Sequence, residues 1–584
     1  MINIEDKLCT GCTMCGQICP MHAISFEIRD GFRFPVVDMD SCIECHLCEK
    51  KCPAIGNNIP KNPYPVVYSA WTKNNEQRNK CTSGGVCYEI SKRVIEDGGY
   101  VCGVAWSDRF KNAEYIIAHS LAELELITQT KYFQPEMNDI FIKVRELLTN
   151  GEKVLFTGTS CSNAALLSFL DKKYDNLICL DFICRGYTSQ LYHKKRIEDL
   201  ETKEHSKISF VQYKEKSIGW EKFGTRFSFE NGNSVYVNRD DDPYEYMLQI
   251  NDYLTRMSCF ECKYRTAERV SDITLGDFWG IKDLSTEDYI SGVSAVLVNS
   301  DKGTKLFDEI ADCLNYEKRS VWDTTRGNHC LLGQLKFYDG REKFYYDLDK
   351  LSIEELHDRY GNIKKYKTGK KRMAFKKTIK IILQLDLISF IHYNFLCKKV
   401  HRDKGKYIFP YRGSKISLDY GANIYIHGNM FLNIFKHKMS REETYLHVYK
   451  NGKMTINGRA RIAAGSTIDV LNEAELDIGQ SETNFGTVIV CSNKIVIGDG
   501  VEMGRNVIIY DSNFHPTQFN KNIKGKPLVI GNHVWLCTGV CIAKGVSIGD
   551  GAICGINATV VRNVKERTSV MGNPAKCIME NVSW

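Results

Sequence analysis

Residues 528–564 read LVIGNHVWLCTGVCIAKGVSIGDGAICGINATVVRNV, and the period of this stretch decides the fold of the C-terminal part. Ile530, Leu536, Ile542, Ile548, Cys554 and Val560 recur every six residues, and Val534, Val540, Val546, Ala552, Ala558 and Val564 follow each of them by four. A helix repeats at about 3.6 residues and a strand at about two, so neither accounts for the pattern. A period of six fits a parallel β-helix, in which each hexapeptide supplies one short strand and one turn, and three of them close a coil. Ile497, Met503 and Ile509 carry a second register and Ile456, Ile462 and Ile468 a third, which extends the repeats over 413–584.

Immediately upstream the composition changes. Residues 359–412 hold 16 Lys and Arg against two Asp and Glu, a local net charge of +14 in a chain whose total is +7, which leaves −7 elsewhere. Phe375, Ile379, Ile382, Leu385, Ile388 and Phe395 recur at roughly helical spacing, so 359–412 reads as a basic amphipathic connector. It fits a solvated hinge with one packed helix or a segment, 371–400, that docks on an anionic membrane surface. The positive charge is local and accompanies no recognition motif, so no nucleic-acid partner is expected. With 584 residues, 43% hydrophobic and 26% charged, the chain is expected to be multidomain and globular rather than disordered or collagenous. No run of 18 uncharged apolar residues predicts a transmembrane helix. The start MINIEDKLCTGC lacks a signal-peptide pattern, so a cytoplasmic protein is expected, with or without peripheral contact at the inner face of the membrane.

Eight of the 24 cysteines fall within residues 9–52. Many thiols without export point to metal ligands in a reducing compartment. Cys9, Cys12, Cys15 and Cys19-Pro20 follow the C-x2-C-x2-C-x3-C-P run, and Cys42, Cys45, Cys48 and Cys52-Pro53 repeat it. The fourth Cys of each such run serves the other cluster, which assigns one 4Fe-4S cluster to Cys9, Cys12, Cys15 and Cys52 and another to Cys42, Cys45, Cys48 and Cys19. Paired zinc sites also use C-x2-C spacing, but two complete copies ending in Cys-Pro favour iron–sulfur. Residues 1–59 thus resemble bacterial dicluster 4Fe-4S ferredoxins, an α+β fold, and IPKNPYP (59–65) reads as a linker.

From 66 to 358 the pattern is α/β. KVLFTGT (153–159) and NLICLDFIC (176–184) read as buried strands, and NDIFIKVRELLTN (138–150), SNAALLSFLDK (162–172) and KGTKLFDEIADCL (302–314) as helical segments. Cys161, Cys184, Cys259 and Cys262 lie at strand ends or in loops. The Cys259-x2-Cys262 pair points to metal ligation, while Cys161 and Cys184 also fit buried structural thiols. The blocks KCTSGGVCYEISKRVIEDGGYVCGVAW, TKYFQPEM, VLFTGTSC, DFICRGYTS and SCFECKYRTAERVSDITLGDFWG, in that order, resemble the coenzyme F420 hydrogenase/dehydrogenase β-subunit family. That resemblance implies FAD and a third 4Fe-4S cluster on Cys161, Cys184, Cys259 and Cys262. It implies flavin-site neighbours at Ser83, Gly84, Gly85, Lys131, Gly276 and Asp277. Two departures stand beside these positions: Gly158-Thr-Ser-Cys161-Ser lacks the Pro and Gln usual around that Cys, and Arg185 replaces the usual His after Cys184. Use of coenzyme F420 itself stays open, since flavin enzymes of this superfamily reduce different substrates. No G-x-G-x-x-G after a strand and no P-loop run supports a Rossmann or nucleotide triphosphate site.

Asp511 through Lys576 resembles hexapeptide-repeat O-acetyltransferases of the maltose, galactoside and xenobiotic type, which implies a left-handed β-helix, a homotrimer and acetyl-CoA as co-substrate. His515 precedes the non-periodic loop 516–527, where that family's loop leaves the coil just after a His; a base near neutral pKa there suits deprotonation of a hydroxyl attacking a thioester. The resemblance implies that Asn484 contacts an acceptor sugar, that Trp535, Gly539 and Gly555 line the acetyl-CoA groove and that Lys576 lies near its phosphates. Each also fits a structural role, Trp535 at an outward turn position and small residues at coil corners. The combined expectation is an iron–sulfur flavin oxidoreductase fused to a sugar O-acetyltransferase in bacterial polysaccharide or glycoconjugate assembly. A redox donor or acceptor protein and a sugar or lipid-linked sugar are its expected partners. An acetyltransferase with a regulatory or scaffolding redox half, and an electron-transfer protein trimerised by an inactive β-helix, are the alternatives.

Overall fold

The computed structural model describes residues 2–56, 59–249, 252–281, 285–335, 337, 339–361, 384–436, 440–515, 525–582 and 584. The chain forms two compact units, Met1–Lys367 and Thr368–Trp584.

The first unit is built on an eight-stranded sheet in the order Leu314–Arg319, Val66–Thr72, Ser294–Val298, Ile273–Asp277, Leu177–Phe182, Val154–Thr157, Tyr100–Ser107, Asn112–Ala118. The four strands from Ile273–Asp277 to Tyr100–Ser107 run parallel, and antiparallel strands finish both edges. The parallel centre is apolar on both faces because helices cover both. Leu155, Ile178 and Leu180 pack under Val86, Ile90 and Val94 of helix Val86–Glu96 and Leu306 of helix Asp301–Ile310. Val154, Phe156 and Cys179 pack under Phe141 and Val144 of helix Ile140–Thr149 and Leu166 of helix Ser160–Leu170. The strands and helices expected in this region therefore form, with ends shifted by a few residues.

The cysteine-rich start adds the hairpin Ile24–Arg29/Phe32–Val37 and two short helices, Met14–Ile18 and Leu47–Lys50, which pack against each other. Ile2, Met14, Cys15, Cys48 and Cys52 share one core with Phe141 and Phe156. The proline-bearing segment after it is pinned as well: Asn62 N–H donates to the Arg269 carbonyl at 2.7 Å and its amide to the Ser271 carbonyl at 2.7 Å. The start is thus built into the α/β domain and not set apart by a free linker.

In the second unit, strands recur in three sheets of seven, nine and seven, paired in parallel from coil to coil, an arrangement consistent with a left-handed β-helix. Ile530, Leu536, Ile542, Ile548, Cys554 and Val560 all face one continuous core. The coils begin earlier than the expected 413: Val400–Arg402 pairs with Asn423–Ile426, and Ile408–Pro410 pairs with Met430–Ile434. These strands are too short, and too interrupted by charge, to display the six-residue period. Ahead of them, helix Leu387–Ile391 runs into a π-turn at His392–Leu396. Asn394 ties that turn to the first coil, donating to the Ile408 carbonyl at 2.7 Å and accepting the Ile408 N–H at 2.8 Å. Leu385 makes a β-bridge with Tyr411 instead of joining the expected helical phase; Phe375, Ile379 and Ile382, with the rest of 371–383, lie outside the described residues.

Candidate functional site

In an α/β sheet, ligands gather at the carboxyl ends of parallel strands, and the thiols of the middle domain lie there. Cys161 follows strand Val154–Thr157 in the first turn of helix Ser160–Leu170, whose cap, Thr159, also bonds the Cys161 sulfur at 3.1 Å. Cys184 follows strand Leu177–Phe182, and Cys259 ends the 3-10 turn Met257–Cys259. Cys161 and Cys262 pack in one small cluster with Tyr264. Burial pushes the Cys161 thiol well up, and Cys262, Cys184 and Cys259 push it further. Cys184 is held up to about 12, by burial first and then by Cys259 and Cys262. Gly186, at φ +129°, permits the approach: a Cβ there would come within 3.2 Å of the Cys259 Cβ. Arg185, the departure beside Cys184, pairs with buried Asp252 at 2.7 Å and so anchors the loop.

Cys9, Cys12, Cys15 and Cys52 line one small cavity with Ile2, Met14 and Phe26. Burial raises Cys12 to about 12, with further upward pushes from Cys52 and Cys9; Cys15 is raised by burial and by Cys12, Cys9 and Cys52. In the other set, Cys48 is buried and raised chiefly by burial, Cys19 and Cys42 are half-buried, and Cys45 is exposed. Among the described residues no three His, Cys, Asp or Glu side chains are gathered for a single metal ion. The fit of both quartets therefore rests on their chemistry, soft thiol donors that would lose their protons on binding iron, with a shared cavity at the Cys9 set.

One side chain links the two quartets. Tyr264 packs with Cys161 and Cys262, and its hydroxyl is pushed up by burial and then by Cys161, Cys12, Cys262 and Cys52. The neighbouring Lys263 ammonium, lowered by burial, is raised by Cys52 and Cys262. Neither was singled out by sequence reasoning; the available signal was their place in Cys262-Lys-Tyr264, directly after the C-x2-C pair.

The positions nominated for the flavin are brought only partly together. Ser83 Oγ donates to the Val293 carbonyl at 2.9 Å, the Gly84 N–H donates to Ser294 Oγ at 3.1 Å, and Gly85 caps helix Val86–Glu96. A Cβ on Gly84 would meet the Ala70 carbonyl oxygen at 2.5 Å, so close packing of strand ends already explains this glycine. Gly276 and Asp277 end the strand next to Ser294–Val298. Asp277 pairs with Lys214 and accepts the Trp220 indole N–H at 3.2 Å; Trp220 stacks on Trp279 at 4.4 Å. Lys216 donates to the carbonyls of Arg78, Ser83 and Ser291 at 2.8–3.0 Å, and burial lowers it to about 8. Lys131 belongs to another loop, where it donates to the Thr128 carbonyl at 2.6 Å and burial lowers it to about 7. The Ser83 hydroxyl and the Gly84 N–H are spent on the protein, and so are the ammonium groups of Lys131, Lys214 and Lys216.

In the β-helix, His515 is exposed just after strand Ile508–Tyr510. Buried Asp511 fixes the exit, accepting the N–H groups of Ser492 and Asn493 at 2.7 Å each, and its carbonyl accepts the Lys526 N–H at 2.8 Å on the return side. The expected loop 516–527 lies outside the described residues from 516 to 524. Asn484 is exposed at a different corner, before strand Val488–Cys491, with its side chain accepting the Phe485 N–H at 2.9 Å. Trp535 lies on strand Trp535–Leu536, not in a turn, with its ring outward and 40% exposed near Trp584. Gly539, at φ +74°, is a corner position where a Cβ would strike the Asn557 side chain; at Gly555 it would meet Met571 at 2.8 Å. Lys576 opens the exposed edge strand Lys576–Glu580.

Comparison with known proteins follows the same division. Residues 8–55 match a family model described as 4Fe-4S dicluster domain, and residues 151–322 match the model for the C terminus of the coenzyme F420 hydrogenase/dehydrogenase beta subunit. The chain is 32% identical over 101 residues to galactoside O-acetyltransferase of Escherichia coli, covering 17% of this chain and 49% of that protein. It is 41% identical over 96 residues to nodulation protein L of Rhizobium meliloti, covering 16% and 52%. The chain spans about half the length of these curated relatives. Among solved structures, the F420-reducing [NiFe] hydrogenase complex of Methanosarcina barkeri aligns over 52% of this chain and 94% of its own at 17% identity and TM-score 0.32. A hexapeptide-repeat acetyltransferase of Vibrio cholerae aligns over 18% and 62% at 28% identity and TM-score 0.17. The chain thus joins iron–sulfur oxidoreductase-like domains to a segment similar to hexapeptide-repeat acetyltransferases.

Proposed function

We propose that this chain is a bifunctional enzyme: an iron–sulfur flavin oxidoreductase joined to an acetyl-CoA-dependent O-acetyltransferase acting on sugar hydroxyls in glycoconjugate assembly. The observation that supports the redox half is that Cys9, Cys12, Cys15 and Cys52 line one small cavity, while Cys161 and Cys262 pack with Tyr264 and the Gly186 loop closes on Cys259. In this reading the Cys9 and Cys259 quartets hold two 4Fe-4S clusters, Cys42, Cys45, Cys48 and Cys19 hold a further one, and FAD binds beside Asp277 and Lys216. Clusters supply one-electron transfer, and a flavin couples it to two-electron chemistry on a small substrate. The protein's own part is to bury the thiols and to hold the Asp277–Lys214 pair and Lys216 beside the flavin.

In the acetyltransferase half, His515 takes the proton of the acceptor hydroxyl, and exposure at a pinned coil corner lets an acceptor reach it. The reading includes a homotrimer in which His515 of one copy meets Asn484 of the next. The basic segment 371–400 holds the enzyme near lipid-linked acceptors at an anionic membrane surface; exposure of Leu387, Ile388, Ile391, Phe395 and Leu396 supports this.

His515→Ala should lower acetyl transfer from acetyl-CoA by about 10²–10⁴-fold while flavin reduction is unchanged. Co-expression of His515→Ala and Asn484→Ala chains should recover part of the activity through mixed oligomers. Equal loss of both activities in His515→Ala would sink the two-site reading, and no recovery on mixing would sink the shared site.

A further inference from the structure

Arg256 is fully buried. Its Nε donates to the Cys9 carbonyl at 2.8 Å, one terminal nitrogen to Gln134 Oε1 at 2.9 Å and the other to the Arg33 carbonyl at 2.8 Å. Its guanidinium lies 4.5 Å from the Phe34 ring centroid and 5.3 Å from that of Phe32. Every one of these partners is neutral. Among the described residues no carboxylate pairs with Arg256, and the nearby Arg33 spends its charge on Glu136. A buried cation without an anion is expensive, because neither hydrogen bonds nor aromatic faces replace the lost hydration of the charge.

The surrounding loops are shaped to this guanidinium. Gly11, between Cys9 and Cys12, adopts φ +67°, and a Cβ there would strike Gln134 at 2.5 Å and Arg256 at 2.7 Å. Gln134 holds the same loop, donating to the Thr10 and Gly11 carbonyls at 3.0 and 2.9 Å. On the other side, Arg256 caps the 3-10 turn Met257–Cys259, and its carbonyl accepts the Cys259 N–H at 3.0 Å. One buried arginine therefore bonds the first thiol loop through its side chain and the second through its own backbone.

Four thiolates around a 4Fe-4S core leave a net negative charge, and net charge is among the determinants of cluster potential. We propose that Arg256 is the counter-charge shared by the Cys9 and Cys259 quartets, favouring the more negative reduced state of both clusters and so raising both reduction potentials. The inference rests on the reading that both quartets hold clusters, and it adds an electrostatic residue that sets how readily they accept an electron.

The test is an EPR-monitored redox titration of the anaerobically purified full chain, with iron and sulfide quantified first. Arg256→Gln should load iron as the unaltered chain does. Both clusters should then titrate lower by about tenfold in the reduction equilibrium, about 59 mV for one electron. The Cys42 cluster should move least, and Arg256→Lys should keep the original potentials. Unshifted potentials in a fully loaded Arg256→Gln chain overturn the proposal. If Arg256→Gln fails to load, Arg256→Lys decides: unchanged potentials support the counter-charge, and lowered potentials overturn it. An unaltered chain without iron at these cysteines overturns the underlying reading before any variant is compared.

Discussion

At the scale of single residues, the cysteines dominate, and their burial has a consequence that can be measured without any assay of activity. Cys12 and Cys184 are both held up to about 12, against an ordinary value near 9, chiefly by burial. A thiol whose folded value lies above its unfolded one favours the fold while it is protonated. That stability is complete below about pH 9 and is lost as pH rises from about 9 towards 12. The iron-free chain should therefore show a falling urea midpoint above pH 9, and Cys12→Ser with Cys184→Ser should flatten the fall; a midpoint equally steep in the double variant would contradict the account. The eight thiols of 9–52 and the Cys259-x2-Cys262 pair stood out in the sequence because their spacing is local, whereas Cys161 and Cys184 were implied only by the family resemblance. Arg256 and Tyr264 did not stand out, because their roles arise where segments far apart in the chain meet: Arg256 bonds the Cys9 carbonyl. Gly84 shows the converse, a glycine that suggested a cofactor turn and is already required by the Ala70 carbonyl against it.

At the scale of elements, the β-helix was readable because one six-residue period covers many coils. The first coil escaped because Val400–Arg402 and Ile408–Pro410 carry only a few residues each. The helical reading of the basic segment failed at Leu385, whose β-bridge to Tyr411 depends on a strand the spacing could not reveal. Beyond Leu385 come a short helix and π-turn whose apolar side chains face outward: Ile388 is 84% and Leu396 67% exposed. If this element inserts at an anionic interface, Ile388→Glu with Leu396→Glu should abolish co-flotation with vesicles containing phosphatidylserine at low salt. The unaltered chain should float at low salt and dissociate as salt is raised. Flotation that survives the double variant, or that ignores salt, would contradict membrane docking.

At the scale of the whole molecule, a chain with net charge −7 outside 359–412 and +14 within it joins two units of different construction. One is a sheet whose strand ends gather thiols, the other a solenoid whose corners present His515. Among the described residues no helix is long and apolar enough to cross a membrane. The division into a cysteine-rich start, an α/β middle and a repeating end was legible in composition and period. The integration of the start with the middle was not, since it rests on side chains such as Phe141 packing against Met14 and Cys15. The central claim is that the first unit is a three-cluster flavoprotein. Iron, acid-labile sulfide and flavin measured together on anaerobically purified full-length chain test it most directly: about twelve irons and one flavin per chain are the predicted result, and about eight irons without flavin would contradict it.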